Sequence, residues 1–213
     1  VAATCELALL RTLDARLGRI PTLPVDPDAM LERTAELGAA HEAHLRETYL
    51  GRFGRYDPTT GRGLLELPSD PPRSTQDLLD RRDLTLDALR EGVDAVYQAE
   101  LFDGTLSGRA DFLVRTDDGY AVYDTKLARH AKVTAVLQLA AYADQLERAG
   151  IPVAPEAHLV LGDRTTSSHR VADIVPLLRF RRARVEALVE QHMHATGPVA
   201  WGAPGITACG RCD

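Results

Sequence analysis

The chain has 213 residues, 45% hydrophobic and 26% charged, the proportions of a soluble globular protein with room for one good core. No run approaches the ~18 apolar residues of a membrane span, and the start alternates apolar with charged residues where a signal peptide would be uniformly apolar; a cytoplasmic protein without a membrane partner is expected. A net charge of −6 excludes a general coat of positive charge, so any nucleic-acid surface has to be local.

Residues 4–17 have helical spacing, with Thr4 as N-cap, and the following IPTLPVDPD cannot continue a helix. Residues 28–50 form a long amphipathic pattern, 51–74 are rich in Gly and Pro and read as an irregular surface loop, and helix resumes near Thr75 and ends near Gly92. From Val93 the texture changes to β-branched and aromatic runs: VDAVYQAEL, LSGRADFLV and YAVYDTKLA predict a three-stranded meander. A helix over 133–147, a fourth strand at EAHLVLG, a fifth at HRVADIV and a helix from Pro176 to about His194 complete the order α, βββ, α, ββ, α. Within that last helix, Arg179, Arg181, Arg182 and Arg184 are the best local basic patch, readable equally as a solvated helix face. Only two lysines, Lys126 and Lys132, stand among 23 arginines. Lysine is a compact point charge whose pKa shifts readily, so one that survives an arginine bias points to chemistry.

The turn Thr116-Asp117-Asp118-Gly119 sets a hairpin register that puts Asp111 opposite Asp124, Arg109 opposite Lys126 and Leu113 opposite Val122, with Phe112 and Tyr123, and Val114 and Ala121, paired on the other face. One face is then apolar and the other holds charge. Opposed carboxylates lie roughly 5 Å apart, where they repel by a few kcal/mol at a surface-like dielectric. A raised pKa on one acid offsets that, as does a divalent cation, whose preferred ligands are such hard oxygens. Lys126 adds a positive charge two residues past Asp124, placed to orient an attacking water. Solvated acids with a surface salt bridge would use the same three residues.

Gly-Arg-Ala-Asp111, then Asp124-Thr125-Lys126, then Gln138-x-x-x-Tyr142 resembles the successive motifs of the RecB-like branch of the PD-(D/E)XK nuclease superfamily, with Asp124 where many relatives carry Glu. The resemblance spans about residues 38–145. It implies an α/β restriction-endonuclease-like core with a mixed central sheet flanked by helices. It also implies a Mn²⁺- or Mg²⁺-dependent deoxyribonuclease, an exonuclease on single-stranded DNA in repair, recombination or CRISPR-type processing. By the same resemblance, Asp111, Asp124, the Thr125 carbonyl and His41 of Gly38-Ala-Ala-His41 hold the metal, Lys126 assists the water, and Gln138 and Tyr142 orient the strand or the lysine. His44, one turn on, competes with His41, and an imidazole in the shell favours Mn²⁺ somewhat.

Cys5 stands near the start, and Cys209 and Cys212 near the end. Iron–sulfur members of this branch, similar to CRISPR-associated exonucleases and recombination nucleases, carry one cysteine before the nuclease core and three after it. The resemblance therefore implies a [4Fe-4S] cluster on Cys5, Cys209 and Cys212, its fourth ligand falling beyond Asp213 in a longer chain. Zinc completed by another residue is the alternative, and a redox Cys-x-x-Cys lacks its usual strand-to-helix setting. The expected organisation is one nuclease domain, core 38–175, with ends 1–27 and 176–213 tied by the cluster. No phosphate-binding G-x-x-x-x-G-K-[ST] loop and no nucleophile elbow occur, so a motor would come from a helicase domain or subunit. The rival readings are a catalytically weak DNA-binding module of a helicase–nuclease assembly and a redox-active iron–sulfur protein.

Overall fold

A computed structural model describes residues 5–22 and 29–210. The chain divides into two compact units, Ala29–Val175 and the combination of Val1–Asp28 with Pro176–Asp213.

The larger unit is built on a mixed six-stranded sheet. Its helices and strands are α2 (Ala29–Phe53), β1 (Leu64–Glu66), α3 (Thr75–Glu91), β2 (Ala95–Phe102), β3 (Ser107–Thr116), β4 (Gly119–Lys126), α4 (Val133–Arg148), β5 (Glu156–Leu161) and β6 (Thr166–Arg170), preceded in the chain by α1 (Glu6–Arg16) and followed by α5 (Val171–Met193). The strands lie in sequence order, β1 to β6. β1 with β2 and β4 with β5 run parallel, and the other neighbours are antiparallel. A parallel pair needs a crossover, which α3's neighbour strands obtain through α3 and β4–β5 through α4. The fold is thus α/β with a mixed central sheet flanked by helices.

Local chemistry explains most boundaries. Ser74 accepts the Asp77 amide at the start of α3, and Gly92 closes it in the left-handed conformation at φ 83. Cys5 caps α1, its Sγ accepting the Ala8 amide at 3.3 Å; the expected cap, Thr4, lies outside the described residues. The hairpin register is as the turn predicts over Thr116↔Gly119, Val114↔Ala121, Leu113↔Val122 and Phe112↔Tyr123, but the expected pairs of Asp111 with Asp124 and of Arg109 with Lys126 are not part of the ladder, because the Asp111 side chain takes the Thr125 amide instead. Both faces of that hairpin are covered, because Phe112 and Val114 on one and Leu113 and Val122 on the other are all buried. The charged face is therefore apolar in its middle and turns polar only toward Asp111 and Asp124. Tyr49 from α2 packs on Leu64, Ala95, Phe112 and Val114, with Leu45, Phe53 and Tyr97 around it.

Three further expectations are corrected. The segment 51–74 contains β1, which adds a parallel edge strand to β2. Its three residues are too short to show alternation. α2 runs three residues past the predicted end at 50, to Phe53, whose ring stacks with Tyr49. Only the first two residues of HRVADIV are strand: β6 is Thr166–Arg170, paired with β5, and Val171 begins α5. Val171, Ile174, Val175 and Leu178 are buried at spacings 3, 1 and 3, a helical stripe that the β-branched composition disguised.

In the smaller unit, two buried acids organise the segments. Glu6 accepts Arg184 Nη2 at 3.0 Å and the Thr207 amide at 2.9 Å, while Asp14 accepts His192 Nε2 at 2.7 Å and the Val199 amide at 2.8 Å. The Arg184 guanidinium holds the Glu6 carboxyl down to about 2. Arg184 also donates to the Gly205 carbonyl, and Arg182 pairs with Glu186 at 2.7 Å, so these two members of the basic patch are engaged within the unit.

Candidate active site

β3 and β4 run as a regular ladder to Phe112↔Tyr123 and then part. The cause is Asp111, whose Oδ2 accepts both the Thr125 amide and the Thr125 hydroxyl at 2.7 Å. A side chain takes the place of a ladder carbonyl, and Asp111 is fixed beside Asp124 and Thr125 by short bonds from the Thr125 amide and hydroxyl. Asp124 itself is 1% exposed. One carboxylate oxygen pairs with Lys126 Nζ; the other, Oδ1, is buried without a hydrogen-bond partner among the described residues.

The electrostatics follow from that placement. Burial pushes the Asp124 carboxyl up to about 7, the negative charge of Asp111 adds to the effect, Lys126 opposes it, and Glu42 contributes a further rise. Glu42 comes from α2 and accepts a hydrogen bond from Gln98 Nε2. Burial raises its pKa, and Asp111 is the next cause. Gln98, in β2 at the position facing Asp111, has φ 58. A non-glycine residue in that region costs about 1–2 kcal/mol, here in return for aiming its amide at Glu42. The charge of Asp111 thus acts on both Asp124 and Glu42, beside a single lysine.

Gln138 and Tyr142 form a relay on α4: Gln138 Nε2 donates to the Tyr142 hydroxyl at 2.6 Å, which donates to the Arg109 carbonyl at 2.7 Å. They clamp β3 two residues before Asp111, and Tyr142 is 4% exposed. The clamp depends on Gly108, where a Cβ would fall 2.7 Å from the Tyr142 ring. Gly162 serves Lys126 similarly, since a Cβ there would lie 2.2 Å from the Leu127 carbonyl oxygen; the chain leaving Lys126 passes directly over this glycine. Arg109 donates to the Ser69 carbonyl at 2.7 Å and stands opposite Glu100 of β2.

The structure therefore brings Asp111, Asp124, Thr125 and Lys126 together and sets Gln138 and Tyr142 on the adjoining backbone. His41 has its Nε2 3.1 Å from the Val160 carbonyl and lines, with His44, Thr48, Tyr123 and Arg164, a separate cavity of about 210 Å³. Among the described residues no three His, Cys, Asp or Glu side chains stand close enough together to hold a metal. The oxygen donors present still fit a hard divalent cation: a buried unpaired carboxylate oxygen on Asp124, a second carboxylate on Asp111, and net negative charge around one lysine. Glu42 was missed in the sequence reading. Its signal is an acid on the stripe Glu42, Leu45, Tyr49, Phe53, whose other members pack into the core. In the smaller unit Cys5 and Cys209, from opposite ends of the sequence, meet, the Cys209 amide lying 3.4 Å from Cys5 Sγ; Cys212 lies outside the described residues.

No curated protein matches the chain in sequence. Among solved structures it is similar to one titled "Crystal structure of SSO0001", at 18% identity over 84% of each chain with a TM-score of 0.26, a likeness too distant to carry an argument. No described helix is long and apolar enough to cross a membrane. The model of the PD-(D/E)XK nuclease superfamily matches residues 12–213. With that match over nearly its whole length, and with Asp111, Asp124 and Lys126 gathered at the parting of β3 and β4, the chain belongs to the PD-(D/E)XK nuclease superfamily.

Proposed function

We propose that the chain is a divalent-cation-dependent deoxyribonuclease that hydrolyses phosphodiester bonds at Asp111, Asp124 and Lys126. The observation that carries this is the buried Asp124 carboxylate, with one oxygen on Lys126 and the other unpaired beside Asp111. Such a group is costly without a cation. Asp111 and Asp124, with the Thr125 carbonyl, are the residues that would hold Mg²⁺ or Mn²⁺, and the ion supplies Lewis acidity toward the phosphate and its water. Lys126 keeps a positive charge at the Asp124 oxygen, where it orients the attacking water and meets charge gathering on the phosphate. The contribution of α2 we assign to Glu42, which feels the charge of Asp111, with His41 beside it in sequence. Gln138 and Tyr142 act as positioning residues, holding the β3 backbone that presents Asp111.

Single-stranded DNA as substrate, exonucleolytic action, a role in repair or recombination and a helicase partner are the finer form of this reading. They rest on the RecB-like order of the motifs. The approach of the Cys209 backbone to Cys5 Sγ supports the associated [4Fe-4S] site, because it brings cysteine residues from the two ends of the sequence to one place; the cluster would act as a clip between distant parts of the chain. The test is degradation of end-labelled single-stranded DNA with Mn²⁺ or Mg²⁺. Metal-dependent cutting by the wild type, abolished in Asp124→Ala, is expected. Binding without cutting under every metal would replace the reading with a catalytically weak DNA-binding module.

A further inference from the structure

The two lysines of the chain line the same cavity. It holds about 250 Å³ between the ends of β4 and β5 and the start of α4, with Lys126, His130, Lys132, Thr134 and Gln138 on its wall and Leu159 beneath. No acidic side chain lines it, in a chain whose net charge is −6. His130 and Lys132 are exposed, as is Arg129 between them and Lys126. The first turn of α4 opens on the same space, and Lys132 at its N-cap position makes no side-chain capping bond. The segment after Lys126 is held by backbone: the Gly162 amide donates to the Ala128 carbonyl at 3.2 Å, and the Leu127 backbone passes too close to Gly162 for any side chain there.

We propose that this cavity is a phosphate-binding subsite for the nucleic-acid strand, with Lys132 and His130 gripping the phosphate next to the one that lies at Lys126. It rests on the nuclease reading for its substrate. Its own basis is different: an acid-free, cationic hollow that shares Lys126 and Gln138 with the reacting centre and is too small for more than about one nucleotide. A compact ammonium suits a phosphate met as a point charge. The sequence bias toward arginine leaves lysine at these two positions only, both on this wall. Lys132 is a positioning residue: it sets which linkage reaches Lys126 and touches no reacting atom.

The test measures anisotropy of labelled single-stranded oligonucleotides in EDTA, then cutting with Mn²⁺, for wild type, Lys132→Gln, Lys132→Arg and His130→Gln. Lys132→Gln is expected to weaken binding about fivefold, with a similar rise in KM and kcat within about twofold, and to reduce the slope of log affinity against log salt by about 0.7, the value of one phosphate contact on a single strand. Lys132→Arg should keep the slope, which a merely structural role would not predict. Substrates with and without a terminal phosphate separate the sources. A loss confined to phosphorylated ends assigns the subsite to a terminal phosphate, and an equal loss assigns it to an internal linkage. Wild-type binding, slope and KM in Lys132→Gln would overturn the inference while leaving the nuclease intact. Lys132-dependent binding without any cutting would sink the nuclease reading and leave the subsite standing.

Discussion

Asp124→Asn should make the metal-free protein more stable and inactive. In the wild type the Asp124 carboxyl rises from 3.8 to about 7, a difference corresponding to about 4 kcal/mol. Its sign is unfavourable to the folded state at high pH: between those two values the folded chain keeps a proton that the unfolded chain has lost. Stability from this group is complete below the unfolded value and falls as pH rises through 7. Asparagine escapes the charge cost but leaves Lys126 without its carboxylate, a loss of about 1 kcal/mol. The net gain is about 3 kcal/mol above pH 8, roughly 6–12 °C in melting temperature at this chain length, and it shrinks to under about 2 kcal/mol at pH 5. Divalent cation nearly closes the gap, adding about 2.7 kcal/mol to wild type at one hundred times its dissociation constant and nothing to the variant. Thermal melts in EDTA and in Mn²⁺ at pH 5 and 8.5 measure all four quantities. An Asn variant less stable than wild type at pH 8.5 in EDTA, or equally stabilised by Mn²⁺, would refute the reasoning.

Tyr142→Phe removes a hydroxyl that bridges Gln138 and the Arg109 carbonyl; a cost of about 1–3 kcal/mol is expected from denaturant unfolding, with lower kcat through the slackened Asp111 strand. Gly108→Ala drives a methyl into the Tyr142 ring and should destabilise by about 1–3 kcal/mol, an effect that Gly108→Ala combined with Tyr142→Leu should largely relieve. Glu42→Gln keeps shape and removes a charge that burial and Asp111 disfavour, so apo stability should rise above the ordinary glutamate range while cutting falls at least tenfold in a single-turnover assay. In the smaller unit, Glu6 titrates at about 2, with the Arg184 bond as the main cause. Its stabilisation is therefore present above the ordinary glutamate value and lost as pH falls toward 2, and Glu6→Gln should flatten that part of an acid-unfolding curve.

The sequence by itself determined the hairpin register, because a period-2 pattern with a tight turn at Asp117-Asp118 leaves one pairing that buries Phe112, Leu113, Val114, Ala121 and Val122. It also determined α3, whose Ser74 and Gly92 caps are local chemistry, and the candidacy of Asp111, Asp124 and Lys126. Tertiary structure decided the rest. β1 is a strand only because β2 offers it an edge, and Val171–Val175 is helical because its buried stripe outweighs a β-branched preference. Three details of the site are non-local: the hydroxyl of Tyr142 reaching the Arg109 carbonyl, Glu42 arriving from a helix 69 residues before Asp111, and Lys132 sharing a wall with Lys126. Distances across the chain follow from how helices pack on the sheet, and no pattern within a single segment encodes them.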